Sequence, residues 1–231
     1  EDDVLLATRN GRAIRFSATD VREFQSRDSN GVRGARLIGG DEVISLSVLR
    51  GFAATPQERE DYLRAASWKD RREGQPEAEQ RLSDERMAEF AAAEEFILTV
   101  CANGYGKRSS AYEYRRTNRG GQGITNIDNL ARNGPVVASF PAHAGEQLML
   151  VTDQAKLIRM SVGDTRVIGR NSAGVRLFNV ADEEHVVSAA RIEESEDEDE
   201  ADLGDHEAEI APSDDAVIGE DLADGGESTG E

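Results

Sequence analysis

The sequence predicts an all-β fold, a propeller-like array of about three small sheets that carries a helical-hairpin insertion and a disordered acidic tail. Three observations lead there. A hairpin pattern turning on Asn10-Gly11 returns at Asn103-Gly104 and again in 148–160. An arginine-glycine corner recurs as Arg27-Asp28-Ser29-Asn30-Gly31-Val32, Arg119-Gly120-Gly121-Gln122-Gly123-Ile124 and Arg170-Asn171-Ser172-Ala173-Gly174-Val175. A closing strand follows each corner, at 41–46, 135–139 and 185–188. A period near 50 residues with several short strands per unit marks such an array, because one small sheet buries its faces only against stacked neighbours.

Taken in order, residues 4–16 read V-L-L-A-T-R-N-G-R-A-I-R-F. Asn-Gly between apolar and alternating runs is a strong short-range hairpin signal. Residues 97–109 (I-L-T-V-C-A-N-G-Y-G-K-R-S) and 148–160 (L-M-L-V-T-D-Q-A-K-L-I-R-M) align on it. The corner arginines 119 and 170 lie 51 apart, while 27 and 119 lie 92 apart. The surplus of 41 residues marks an insertion between the first two repeats. The resulting division is repeat one at 1–49, insertion at 50–95, repeat two at 96–143, repeat three at 144–192 and tail at 193–231.

The insertion has helical features. Pro56 to Glu60 suits a first helical turn, with Tyr62, Leu63 and Ala66 at helical spacing. Gly74-Gln75-Pro76 breaks that pattern, and Pro76 to Glu95 reads as a second helix. Trp68 is expected to anchor the hairpin. The tail holds 18 acidic residues and no Lys or Arg, too few large apolar groups to offset chain entropy.

Charge is unevenly distributed. The whole chain carries a net charge of −19, from 46 acids and 27 bases. Without the tail, 28 acids face those 27 bases. The insertion holds 12 acids and 8 bases, so the three repeats keep 16 acids against 19 bases and are mildly basic. The chain begins at Glu1, which fits a piece of a longer protein. The single cysteine, Cys101, excludes an internal disulfide and fits a reducing cytoplasm. There is no signal peptide and no apolar run of membrane-spanning length.

Catalytic and metal chemistry find no support. His143, His185 and His206 are scattered, and no Cys or second His stands at ligand spacing. Gly104-Tyr105-Gly106-Lys107-Arg108-Ser109 lacks the first glycine of a phosphate-binding loop and sits in a hairpin rather than at a helix start.

Cations, by contrast, recur at matching places. The hairpins carry Arg12 and Arg15, Lys107 and Arg108, and Lys156 and Arg159. The corners carry Arg27, Arg119 and Arg170. Arg33 and Arg176 follow two corners, and Arg115 and Arg116 precede the third. Repeats related by rotation would set these on one curved rim, suited to the phosphates of bent duplex DNA. The competing reading makes them solvated strand edges that discourage aggregation.

The motifs N-G-Y-G-K-R, E-Y-R, R-G-G-Q-G-I and I-G-R-N-S-A-G-V-R-L, in this order and followed by an acidic tail, resemble the C-terminal domain of bacterial DNA gyrase A. The resemblance implies a β-pinwheel of four-stranded blades that exchange strands, six in the full domain, of which this chain would hold about the last three. It implies wrapping of double-stranded DNA around a basic outer edge in support of ATP-dependent negative supercoiling. It further implies an A2B2 heterotetramer with gyrase B, in which two copies of gyrase A pair through a missing N-terminal part. ATP and Mg2+ would be handled by other domains, with no cofactor bound here. The acidic tail of some members modulates wrapping. The family's signature box, Q-(R/K)-R-G-G-(R/K)-G, belongs to its first blade; Arg119, Gly120, Gly121 and Gly123 form a degenerate relative. The family's catalytic tyrosine also lies outside this chain. The alternatives are the equivalent domain of topoisomerase IV, which relaxes and decatenates, and a propeller-type module that binds protein through its insertion.

Overall fold

The computed structural model describes residues 1–66, 68, 80–128 and 130–192. The expected disordered tail and most of the link between the two insertion helices lie outside the described residues. Three antiparallel sheets follow the three repeats. Repeat one supplies β1 (Asp3–Thr8), β2 (Arg12–Ser17) and β3 (Val43–Leu49). Repeat two supplies β4 (Phe96–Cys101), β5 (Tyr105–Ser110), β6 (Ile124–Thr125) and β7 (Val136–Pro141). Repeat three supplies β8 (Gln147–Thr152), β9 (Leu157–Ser161), β10 (Val175–Arg176) and β11 (Val186–Ile192).

The sheet orders are β3-β1-β2-β6, β7-β4-β5-β10 and β11-β8-β9. A repeat and a blade are therefore different things. The short strand after each of the second and third corners leaves its own repeat and completes the preceding sheet, Ala13 facing Ile124 and Gly106 facing Val175. Strands are exchanged as the resemblance implied. The first corner behaves differently, because Val32 and Arg33 form no strand.

Close approach explains the corner glycine. Gly123 has φ 69°, and a Cβ there would lie 2.3 Å from the Ala13 carbonyl oxygen. Gly174, its equivalent, has φ 74° and would meet the Gly106 carbonyl oxygen at 2.8 Å. Only glycine combines that backbone with that contact. Gly31, in the first corner, has nothing within 4 Å.

The cores lie between sheets. Leu5, Ala13 and Leu49 of the first blade pack against Ile97, Ala111 and Tyr114. Leu98, Val100 and Ala138 of the second pack against Leu148, Leu150, Val162 and Val186. Strand β3 runs beside β7, and β7 beside β11. The closing strands thus mark the inner side of the array, with β6 and β10 at its outer edge. Each hairpin also ends in a 3-10 turn, Ala18–Asp20, Ala111–Glu113 and Val162–Asp164, capped by the side chain of Ser17, Ser110 or Ser161.

The insertion forms two helices. Helix α1 (Pro56–Ala65) starts on a capping box in which Thr55 and Glu58 satisfy each other's backbone N–H. Helix α2 (Asp84–Ala93) starts at Ser83, whose hydroxyl accepts from the Arg86 N–H. The sequence pattern predicts a start at Pro76; the Ser83 cap sets it at Asp84 instead. Tyr62 stacks on Phe90 at 5.0 Å, and both pack on Tyr112. Tyr112 sits in the 3-10 turn of repeat two, where the other repeats have Thr19 and Gly163. The insertion thus docks on an aromatic ring that, of the three repeats, only repeat two provides. Trp68 joins this cluster as expected, and its Nε1 donates to Glu94 at 3.1 Å. Glu94 also accepts from Tyr62 Oη and Ser110 Oγ, while burial raises its pKa.

The hairpin turns generate a prediction. Gly11 and Gly104 have φ 74° and 77°, and the matching residue in repeat three, Ala155, is held at φ 60°. A left-handed alanine is strained by roughly 1–2 kcal/mol, and glycine recovers part of that against its larger unfolded entropy. Ala155→Gly is expected to stabilise the protein by about 1 kcal/mol, read as a higher urea midpoint with an unchanged m-value.

Candidate nucleic-acid interface

The repeated cations fall into two groups, divided by what their donors reach. Arg15 and Arg108 occupy equivalent hairpin positions, and both are buried, with 7% and 8% exposure. Arg15 donates to Asp3 at 2.7 Å and to the Ala111 carbonyl at 2.8 Å. Arg108 donates to the Thr165 and Gly163 carbonyls at 2.8 and 3.3 Å. In both cases the guanidinium reaches the 3-10 turn region of the next repeat. The partner on its own blade differs, since Asp3 is replaced in repeat two by Phe96, whose ring lies under Arg108.

The corner arginines clamp in the opposite direction. Arg119 donates to the carbonyls of Asp20 and Arg33 in repeat one, at 3.0 and 3.1 Å. Arg170 donates to the carbonyls of Glu113 and Thr125 in repeat two. Arg12 reaches the Gln122 and Gly123 carbonyls at 2.9 and 2.8 Å, holding the corner that crosses to its own blade. Each of these arginines bonds backbone carbonyls across a blade boundary.

Lys107 is fully buried. Its Nζ lies against the carbonyls of Gly169, Arg170 and Ser172 and the Ser172 hydroxyl. Burial pulls its pKa down to about 7, with Arg170 also lowering it and Glu113 opposing.

This arrangement corrects the expected rim. Lys107, Arg15 and Arg108 are inside the protein and do not present their charge to a phosphate. Arg12, Arg119 and Arg170 spend donors on blade-to-blade carbonyls. In Arg119-Gly120-Gly121-Gln122-Gly123 the arginine clamps and the last glycine permits strand crossing.

The other expected cations face solvent. Arg27, Arg33, Arg115, Arg116, Lys156, Arg159 and Arg176 are exposed. Arg116 lies 3.4 Å from Asp3, Lys156 bonds Glu184 at 2.7 Å, and Arg159 bonds Gln147. Lys156 and two hydrogen bonds from Thr152 and the Ala181 N–H hold the Glu184 carboxyl down to about 2. At the outer edge, Arg176 on β10 sits over the Tyr105 ring at 4.6 Å and bonds its hydroxyl. Arg132, which the repeat pattern does not single out, lies over the same ring at 4.3 Å. It also donates to the Ala173 carbonyl at 2.9 Å. The matching stretches of the other repeats, 39–40 and 182–183, carry no cation, so no recurrence marks it. Arg166, likewise unmarked and exposed, precedes β10.

No group of His, Cys, Asp and Glu among the described residues is arranged to hold a metal ion. Cys101 is buried and free, and burial pushes its thiol up to about 12. No helix among the described residues is long and apolar enough to cross a membrane.

Stacked sheets that lend one another their outer strands, bordered by exposed arginines, define a strand-exchanged β-propeller domain. A family model described as the DNA gyrase C-terminal domain, beta-propeller, matches residues 2–50, 95–142 and 146–193, and the chain belongs to that family. It is 48% identical to the DNA gyrase A of Granulibacter bethesdensis, over 92% of this chain and 24% of that protein. It is 46% identical to the DNA gyrase A of Rickettsia bellii, over 91% of this chain and 24% of that protein. The DNA gyrase A of Salmonella typhimurium is 32% identical over 91% of this chain and 20% of that protein. The chain thus spans about a quarter of the length of the first two relatives. Among solved structures, the C-terminal domain of DNA topoisomerase IV aligns with TM-score 0.60 at 19% identity, covering 83% of this chain and 47% of that one, a likeness of fold.

Separating clamps from exposed cations has a measurable outcome. Lys107→Met leaves buried carbonyls without a donor and is expected to cost about 2 kcal/mol, and Arg108→Met a similar amount. Arg176→Gln is expected to stay within about 0.5 kcal/mol of the parent in urea unfolding. The Lys107 pKa is depressed on folding. Between about pH 7 and the unfolded lysine value near 10.4, the unfolded state therefore binds the extra proton, and stability rises with pH across that window. That rise is expected to shrink in Lys107→Met when urea midpoints are compared from about pH 7 to 10.

Proposed function

We propose that this chain is the DNA-wrapping part of a DNA gyrase A protein. It binds double-stranded DNA along the outer edge of the blade array and supports negative supercoiling by the whole enzyme. The observation that carries this reading is the exposed cationic edge beside the exchanged strands, with Arg176 held on the Tyr105 ring beside β10. Arginines fixed by stacking lose less freedom on meeting a phosphate than arginines that must first be ordered. A curved row of such contacts favours bent duplex without reading its bases, since phosphate neutralisation and counterion release dominate. Membership of the gyrase C-terminal family supports the same reading. The chain contributes no catalytic group. Strand cleavage, ATP with Mg2+, and assembly with gyrase B into an A2B2 complex belong to other parts of the full protein.

Binding of a long duplex, followed as a function of salt, tests this. The expected result is an affinity that falls steeply with salt, with a slope reduced by roughly 0.9 for each phosphate contact removed. Arg176→Gln is expected to weaken binding and flatten the slope, while Ala155→Gly leaves both unchanged. Wrapping is read as a linking-number change trapped when bound plasmid is relaxed by a separate topoisomerase. Absence of duplex binding at low salt, or absence of a trapped linking change, overturns the proposal.

A further inference from the structure

The helical insertion creates a cleft of about 630 Å3 between helix α1 and the corner of repeat three. Its lining includes Arg59 and Arg64 from the helix, Arg115 just after the 3-10 turn of repeat two, and Arg170 and Asn171 from the corner. Two of these cations are already committed. Arg170 donates to Glu113 and Thr125, and Arg64 pairs with Glu60 at 3.1 Å and Asp61 at 3.4 Å. The two carboxylates of the lining, Glu60 and Glu113, are occupied in the same contacts: Glu60 by Arg64, Glu113 by the Arg170 backbone N–H.

Arg59 is left over. Its Nε is buried and donates to nothing. A buried guanidinium nitrogen without an acceptor forfeits a charged hydrogen bond, and such an orphan needs a reason. Burial, together with the nearby Arg15 charge, lowers the Arg59 pKa, and Asp3 partly offsets this. Arg115 is exposed on the same wall, so a second charge faces the same space. Arg59, half-buried, and Arg115, exposed, are thus the two uncommitted guanidiniums of the cleft lining.

We propose that this cleft binds a single backbone phosphate of duplex DNA, so that the insertion adds a contact to the outer edge of the repeats. This rests on the DNA reading given above. The cleft is lined by residues 169–172, the corner that leads directly into β10, the strand that carries Arg176. A tetrahedral phosphate suits the site because it accepts from two guanidiniums at once without displacing either committed pair.

The test uses the full chain and a fluorescent duplex, titrated across a salt series, with and without residues 193–231. Arg59→Gln and Arg115→Gln are each expected to weaken binding roughly tenfold, the loss of one charged hydrogen bond. Each is expected to flatten the salt slope by about 0.9. The double variant is expected to lose little more than either single one, because both grip one phosphate. Arg115 is exposed, so its variant reads the site even if Arg59→Gln unfolds, and Arg59→Lys with an unchanged melting temperature restores partial binding. Unchanged affinity and slope in Arg115→Gln, while Arg176→Gln weakens binding, overturns the cleft and leaves the edge standing. Tighter DNA binding by Arg115→Gln only when the tail is present also overturns it, by assigning the cleft to tail carboxylates. A parent protein that fails to bind duplex at all overturns the DNA reading and the cleft with it.

Discussion

The array depends on charged hydrogen bonds from arginine to backbone carbonyls across each blade boundary. A small sheet ends in a 3-10 turn and an irregular corner, and both leave carbonyl groups that no strand ladder can reach. Arg15 and Arg108 reach forward to the next repeat, and Arg119 and Arg170 reach back to the one before. Each guanidinium holds its acceptors in a fixed plane, which sets the spacing of two blades and not merely their attraction. The apolar cores between the sheets supply the larger share of the driving force but specify orientation less sharply. Lys107, inserted among the carbonyls of Gly169, Arg170 and Ser172, adds a third clamp of the same kind at one boundary.

Clamping and strand exchange depend on each other. The corner arginine brings its segment against the preceding repeat, and the glycine that ends the corner lets the backbone lie on the edge strand. At Gly123 and Gly174 any side chain would strike a carbonyl of the receiving strand. The first corner has the same residue types in a different setting: Arg27 is exposed, Gly31 has open space around it, and Val32 and Arg33 form no strand. The contrast within one chain separates what the corner sequence encodes from what a receiving blade must provide.

Much of this is legible in the sequence. The Asn-Gly hairpins, the three-fold recurrence and the insertion can be read because turn chemistry and spacing are local or periodic. Strand exchange cannot be read from pattern, because Ile124–Thr125 and Val175–Arg176 are two-residue strands without alternation. The pattern extends the second insertion helix too far because Glu- and Ala-rich segments read as helical on either side of Ser83, whose hydroxyl sets the start. Recurrence finds the cations but merges their roles. An arginine that holds a carbonyl across a blade boundary and one that faces solvent occupy equally regular positions in a repeat. Burial separates them, and burial depends on which repeat lies next door. Arg132 leaves no signal for the opposite reason, because the matching stretches 39–40 and 182–183 carry no cation.

The direction of strand exchange also orders events during synthesis. The first sheet receives its outer strand from Ile124 and Thr125, which leave the ribosome long after the β2 strand they pair with, the whole insertion lying between. Until then β2 presents an unpaired edge, open to other chains. The second sheet waits a shorter interval for Val175 and Arg176. The insertion lengthens only the first of these delays. It forms its own helical cluster on Tyr112 close to the moment when the missing strand arrives, so the β2 edge is closed just after that local unit can fold.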